Sequence, residues 1–395
     1  MSARAQVGAQ TPVPWTGTWA APPNEVSIAD PTLSKGLQGL TLRQVVRVSL
    51  GGDAVRLHFT NVHGTAPVTI ADMHLADADS DKSTVPGTDR VITFGGSHEV
   101  TIPAGQTVTS DTVAFPVAPC SDLAVSLYFP QPVDAVHMSG HTQAWQYVYL
   151  ASGDAGAKPN IDAISLAKPL TSFYYLTGID VLNVKALGAV ATFGASITDD
   201  SNTTFGAHHG WRDLLAQRFC DAHIPVGVVN ASLSGNRLLR SSRFGGATGV
   251  SRFQQDALDQ ANVKWVIFSD DAINDLSGAT PPSYDSLLSA IKTLRDQAHA
   301  KGVKFYCSTL TPNIGRAPDQ WTPEAQTTLE QINAFYRGAE SGCDGIVDQD
   351  GVTHDPAMPK RYLPAYDAGD HLHPNDAGHQ KIAESIDLSL FDGRK

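Results

Sequence analysis

A chain of 395 residues, 42% hydrophobic and 17% charged, is globular in composition and too long for one ordinary hydrophobic core, so two domains are expected. Its formal net charge of −12 repels nucleic acid and anionic lipid, and neither is expected as a main partner. No run of ~18 apolar residues is available to cross a bilayer, which excludes membrane insertion by a helix.

Met1 to Pro14 lacks the apolar segment of a signal peptide. Its polar, Ala-, Gln- and Pro-containing start reads as that of a mature exported chain, so a secreted or periplasmic protein is expected. From Trp15 to about Leu176 the pattern is short strands and turns. Val46, Val48 and Leu50 alternate with polar residues, Gly51-Gly52-Asp53 turns the chain, and Val55, Leu57 and Phe59 alternate again. This predicts a hairpin with one buried face. Leu123, Val125, Leu127 and Phe129 repeat the device, and turn signals at Asn61, Gly64, Gly87, Gly95-Gly96 and Pro103-Ala104-Gly105 complete the signature of an all-β sandwich. Trp15, Trp19, Trp145, Tyr147 and Tyr149 supply rings that either bind carbohydrate or fill the core and the seam between domains.

Gly153, Gly156, Pro159 and Pro169 interrupt a crossover from about Ala151 to Ala186, in which Ser172–Leu176 and Ile179–Val184 are expected as short strands leading into a second sheet. The domain boundary falls near 180, giving 1–180 and 181–395. Beyond it, strands alternate with helices. Trp211, Leu214, Leu215 and Phe219 share a helix face; Ile224–Val229 is a strand; Leu287, Ile291, Leu294 and Ala298 mark a helix after Pro281-Pro282-Ser283; Val303–Tyr306 is a strand. Leu329, Ile332 and Phe335 or Tyr336 follow Thr322-Pro323, an N-cap with proline at the first helical position. Gly345–Val347 is a short strand, and Ile382, Ile386 and Leu390 run down one helix that Asn375 or Asp376 caps. Such alternation implies a parallel sheet covered on both faces, with active loops at the carboxyl ends of the strands.

The apolar run Ala186–Phe193 ends in Gly194-Ala195-Ser196. Ser196 is expected to open a helix, where it is either an N-cap or a nucleophile whose oxyanion the unpaired N–H groups favour. In Asp370-His371-Leu372-His373-Pro374 the carboxylate of Asp370 can reach Nδ1 of His373 and leave Nε2 for a serine. Ser234-Gly235-Asn236 and Ala272-Ile273-Asn274-Asp275 can offer a backbone N–H and a side-chain amide to an oxyanion. Arg237 either lines the cleft or pairs with a carboxylate. His371 and His373 also form a possible ligand pair for a metal, though Cys/His spacing elsewhere gives no metal site. The four cysteines, Cys120, Cys220, Cys307 and Cys343, allow three pairings or none; Cys307 with Cys343 is one candidate bridge, and buried free thiols are the other reading.

Four blocks in the order Ser, Gly, Asn, His resemble the SGNH hydrolases, the GDSL esterase and lipase family, over residues 186–391. The motifs are Gly194-Ala195-Ser196-Ile197-Thr198-Asp199, Ser234-Gly235-Asn236-Arg237-Leu238-Leu239, Ile273-Asn274-Asp275 and Gly369 to Asp376. The resemblance implies a flavodoxin-like α/β hydrolase domain with a parallel sheet flanked by helices, behind a jelly-roll-like β-sandwich. It implies Ser196 as nucleophile, His373 as general base, Asp370 as its partner, and an oxyanion hole of the Ser196 and Gly235 amides with the Asn274 side chain. No cofactor or metal is implied. The expected activity is a serine esterase acting through an acyl-enzyme on short-chain acyl esters of small molecules, carbohydrates or plant-derived compounds. Acyl transfer from the same acyl-enzyme, or a glycan-binding homologue with impaired catalysis, are the alternatives. Trp15-Thr16-Gly17-Thr18-Trp19-Ala20 and the segment around Gly51 resemble the N-terminal region of a two-domain bacterial branch of the family, whose β-domain packs beside the catalytic one. The chain departs from the family pattern at Ala195, where aspartate is usual, and at Ala272, where glycine is usual; the methyl at 272 is expected to narrow the floor near Asn274.

Overall fold

The computed structural model describes residues 15–392 except 29, 32, 34 and 35. Expectations for Met1 to Pro14 lie outside these residues. The N-terminal region is antiparallel throughout. One sheet orders the strands Trp15–Ala20, Leu176–Leu182, Val55–Thr60 and Thr107–Thr109. A second sheet runs through Val148–Ser152, Leu40–Arg47, Asp122–Phe129 and Val68–Ser80. Apolar residues of both, among them Leu57, Phe59 and Ile179 from the first and Leu42, Ile70 and Leu127 from the second, meet in one core.

The expected hairpin at Gly51-Gly52-Asp53 does not form. Leu40–Arg47 pairs with Asp122–Phe129, whereas Val55–Thr60 pairs with Leu176–Leu182. The segment between them crosses from one sheet to the other, and its amides bond to distant carbonyls: Val48 to Ser121, Gly52 to Val117 and Asp53 to Leu182. Glycine is required at 51 and 52 because a Cβ there would stand 2.5 Å from the Val117 carbonyl and 2.6 Å from that of Leu182. The strands Phe173–Tyr174 and Leu176–Leu182 likewise pair inside the antiparallel region rather than with the parallel sheet that follows.

Five parallel strands follow in the order Val226–Asn230, Gly188–Phe193, Val263–Phe268, Lys304–Ser308 and Gly345–Val347. All six residues of the second of these are buried, as expected for a strand covered on both faces. Order 2-1-3-4-5 is that of a flavodoxin-like sheet, and it sets the strands ending at Asn230, Phe193 and Phe268 side by side. Helices Trp211–Asp221, Tyr284–Ala300, Pro323–Arg337 and Asp376–Ser385 flank the sheet. Thr322 caps the third of these, accepting from the Ala325 amide, with Pro323 behind it, and Asn375 caps the last. That last helix is shorter than its periodicity predicts: it stops at Ser385, and Asp387 caps a separate 3₁₀ turn, Leu388–Phe391.

The two halves meet at close quarters. Gly17 donates its N–H to the Ala261 carbonyl at 3.0 Å, and a Cβ on Gly227 would stand 2.0 Å from the Gly17 oxygen. Ser49 Oγ accepts from the Val228 amide at 2.8 Å. Both pairs of cysteines are joined: Cys307–Cys343 staples adjacent parallel strands, and Cys120–Cys220 ties the antiparallel region to the helix Trp211–Asp221.

Candidate active site

Three neighbouring strand ends and the loop before the last long helix converge on Ser196. Its hydroxyl lies 2.8 Å from Nε2 of His373. Nδ1 of His373 lies 2.6 Å from Oδ2 of Asp370, whose other oxygen accepts the amides of Leu372 at 3.0 Å and His373 at 2.9 Å. Burial opposes ionisation of Asp370, but the His373 side-chain and backbone hydrogen bonds, the His373 charge and the Leu372 amide outweigh it and hold the carboxyl well below the usual range. Asn202 Nδ2 adds a fourth donor to Asp370 at 3.1 Å. The neighbouring His371 is turned to Asp367, with Nδ1 at 2.5 Å from the carboxylate, and no group of three metal-ligating side chains occurs among the described residues.

Ser196 does not open a helix. Residues 195–203 form successive turns in which Asp199 donates to the Ala195 carbonyl and Ser201 to that of Ser196. Asp200 and Asn202 take φ of 64° and 68°, left-handed values that end any helical run. The first helix begins only at Trp211.

The turn that carries Ser196 is braced from another strand. Asp270, just past the strand Val263–Phe268, accepts the Ala195 amide at 3.0 Å, the Ile197 amide at 2.9 Å and the Thr198 hydroxyl at 2.6 Å. Gly194 leaves room for it, since a Cβ there would be 2.5 Å from Oδ1 of Asp270. Asp199 is buried and turns toward the next loop, where its oxygens accept the Ser234 amide at 2.9 Å, the Ser234 hydroxyl at 2.8 Å and Asn230 Nδ2 at 2.8 Å.

Gly235 has φ 74°, and the exposed ring of Phe244 covers it, Cδ1 lying 2.6 Å from where a Cβ would be. The N–H groups of Ser196 and Gly235 have no acceptor among the described residues. Asn274 sits on the short helix Asp271–Leu276 and donates one amide hydrogen to the Asn236 carbonyl at 2.9 Å, which fixes the plane of the amide and leaves its second hydrogen. Asp275 holds the Leu238 amide at 2.5 Å and the Leu239 amide at 3.3 Å, tying that helix to the Gly235 loop. Ala272 is fully buried in the hydrophobic core, so its methyl packs inward and does not floor the cleft. Beneath the site, Arg252 donates to the carbonyls of Gly194 at 3.0 Å and Ala231 at 2.5 Å, and to Oδ1 of Asn236 at 2.8 Å. Sequence reasoning gives Asp270 and Arg252 no role and has Asp199 only as the end of the Gly194–Asp199 motif; for Asp270 the run Ser269-Asp270-Asp271 directly after an apolar strand is the one available signal.

Residues 192–381 match the GDSL-like Lipase/Acylhydrolase family, and this part of the chain is a domain of that family. No curated protein matches the chain. Among solved structures it is similar to a GDSL-like lipase from Bacteroides thetaiotaomicron VPI-5482, at 18% identity over 53% of this chain and 90% of that one, with a TM-score of 0.40. It is also similar to the lipase/acylhydrolase from Enterococcus faecalis, at 18% identity over 52% and 96%, TM-score 0.40. A family two carbohydrate esterase from Cellvibrio japonicus is covered over 97% of both chains, at 10% identity and a TM-score of 0.39.

Proposed function

We propose that the chain is a serine esterase cleaving short-chain acyl esters of small molecules or carbohydrates. The observation that carries this reading is the unbroken line from Ser196 Oγ to His373 Nε2 at 2.8 Å and from His373 Nδ1 to Asp370 at 2.6 Å, in an acylhydrolase domain. His373 takes the hydroxyl proton as Ser196 Oγ bonds to the ester carbonyl carbon. The tetrahedral oxyanion is held by the N–H groups of Ser196 and Gly235 and by Asn274 Nδ2. Its collapse breaks the bond to the alcohol oxygen, which receives the proton from His373; water then repeats the sequence and releases the acid. Asp370 keeps the imidazole in the tautomer that presents a bare Nε2. The Phe244 ring beside Gly235 supports a short acyl group, because a carbonyl seated on these donors has an aromatic wall close by. Two disulfides support work in an oxidising compartment.

The test is turnover of p-nitrophenyl acetate, butyrate and decanoate by the protein and by Ser196→Ala. Serine-dependent release, fastest on acetate or butyrate, is the expected result. Turnover undiminished in Ser196→Ala would sink the assignment.

A further inference from the structure

His141 enters the hydrolase half from outside it. It ends the strand Met138–His141 of the antiparallel region, is 2% exposed, and sets Nε2 at 2.9 Å from Oδ1 of Asp199. Its Nδ1 lies 2.9 Å from the Pro22 carbonyl. A carbonyl and a carboxylate have no hydrogen to give, so both ring nitrogens must donate and the ring is an imidazolium. Asp199 is thereby a buried carboxylate with a cationic partner, the condition under which a buried charge is tolerated.

What Asp199 does with its remaining lone pairs makes this pair more than a seam contact. Its backbone belongs to the nucleophile turn, through its N–H to the Ala195 carbonyl at 2.9 Å. Its Oδ2 takes both the amide and the hydroxyl of Ser234, and the next residue along is Gly235. Nucleophile turn and oxyanion loop are therefore joined by one carboxylate whose orientation is set from the β-region. A second tie runs alongside: Asn24 Nδ2 donates to the Phe244 carbonyl at 2.5 Å, holding the ring that covers Gly235.

We infer that His141 is a positioning residue for ester hydrolysis: by fixing Asp199 it sets the distance between Ser196 Oγ and the Gly235 N–H. The antiparallel region thus completes the catalytic geometry. This inference rests on the esterase reading above. A donor held out of line with the developing oxyanion weakens transition-state binding and leaves ground-state binding nearly as it was. Displacement of this kind costs up to about 100-fold in kcat, less than the roughly 10²- to 10³-fold cost of a missing donor.

The experiment compares the full chain with His141→Gln and His141→Ala on p-nitrophenyl butyrate. Each kcat is divided by the number of serines titrated with a fluorophosphonate, so that a misfolded fraction drops out. Expected is a graded fall in kcat per titrated serine at constant KM, Gln above Ala, because the Gln amide keeps a donor toward Asp199 without the charge. Equal kcat per titrated serine in the wild type and both variants would overturn the role. Should His141→Ala not fold, His141→Gln decides alone by the same criterion. A wild-type protein with no serine-dependent turnover would overturn the esterase reading and this role with it, an outcome visible without the His141 variants.

Discussion

The Ala195 amide donates to Oδ1 of Asp270 at 3.0 Å, so a carboxylate braces the turn that carries Ser196 even though residue 195 carries none. Asp270→Ala would leave two buried amides and the Thr198 hydroxyl without this acceptor, at about 1–3 kcal/mol for each unsatisfied group. The expected outcome is a loss of at least 3 kcal/mol, roughly, in urea unfolding and a fall in kcat. An aspartate at 195 is not a repair here. Ala195 is fully buried, and Ala195→Asp adds a second carboxyl to donors that Asp270 already occupies. It is expected to lower both stability and turnover; a gain in kcat would show that Asp270 does not do this work.

Asp370 is ionised at every pH at which the protein is expected to act, because its carboxyl is held well below the usual range by His373 and the Leu372 amide. Its contribution to stability is present above the unfolded carboxyl pKa of ~3.9 and is lost as pH falls toward its folded value. Protonation of Asp370 should therefore add no step of its own to the acid limb of the activity profile. Asp370→Asn should lower kcat by about 10²- to 10⁴-fold at unchanged KM, since the amide cannot hold the same tautomer. A pH–rate profile for kcat/KM with a two-proton acid limb would contradict this.

The motif-bearing parts of the site were legible because each lies on a short contiguous stretch. Asp370 and His373 are three residues apart, close enough in one loop for the carboxylate to reach Nδ1. The alternation around Gly51 marked apolar positions that are buried, although Ser49 and Thr60 on the other face are buried as well, and it carried no information about partners: Leu40–Arg47 finds Asp122–Phe129, and Val55–Thr60 finds Leu176–Leu182. His141 and Asp199 stand 58 residues apart, and Asn24 and Phe244 stand 220 apart. No local pattern predicts such meetings, because they are fixed by how two sheets pack. The expectation that Ser196 opens a helix failed for a related reason: the stretch from Ser196 to Asn202 reads the same whether it runs on into a helix or, as found, is broken by left-handed Asp200 and Asn202.

Asp271 should make stability depend on pH. It is fully buried, and its oxygens have no hydrogen-bond donor among the described residues, with Arg252 Nη2 at 3.6 Å. Burial, aided by the charges of Asp270 and Asp275 and opposed by Arg252, pushes its carboxyl up to about 7. An unfolded aspartate ionises near ~3.9. Between these values the folded state holds a proton that the unfolded state has lost, so stability falls as pH rises through the window. Asp271→Asn abolishes that slope, and its advantage over the wild type should grow from pH 4 to pH 8 by at most about 4 kcal/mol. Urea titrations at the two pH values give the answer, and parallel slopes in both proteins would remove Asp271 as the cause.

The Cys120–Cys220 bridge closes a sequence separation of 100 residues and Cys307–Cys343 one of 36. In the chain-entropy account, the longer loop restrains the unfolded state more, by about 5 against about 4 kcal/mol. The two also differ in what they join. Cys307 is buried in the hydrolase core, so its bridge reinforces strands already paired in the sheet. Cys120–Cys220 connects the region that carries His141 to the helix Trp211–Asp221, which follows the Ser196 turn. Replacing Cys120 and Cys220 by serine should therefore lower the urea midpoint more than replacing Cys307 and Cys343 by alanine, and should also lower kcat per titrated serine. Equal losses of stability with kcat untouched in both double variants would mean that the interdomain hydrogen bonds hold the two halves in register without the bridge.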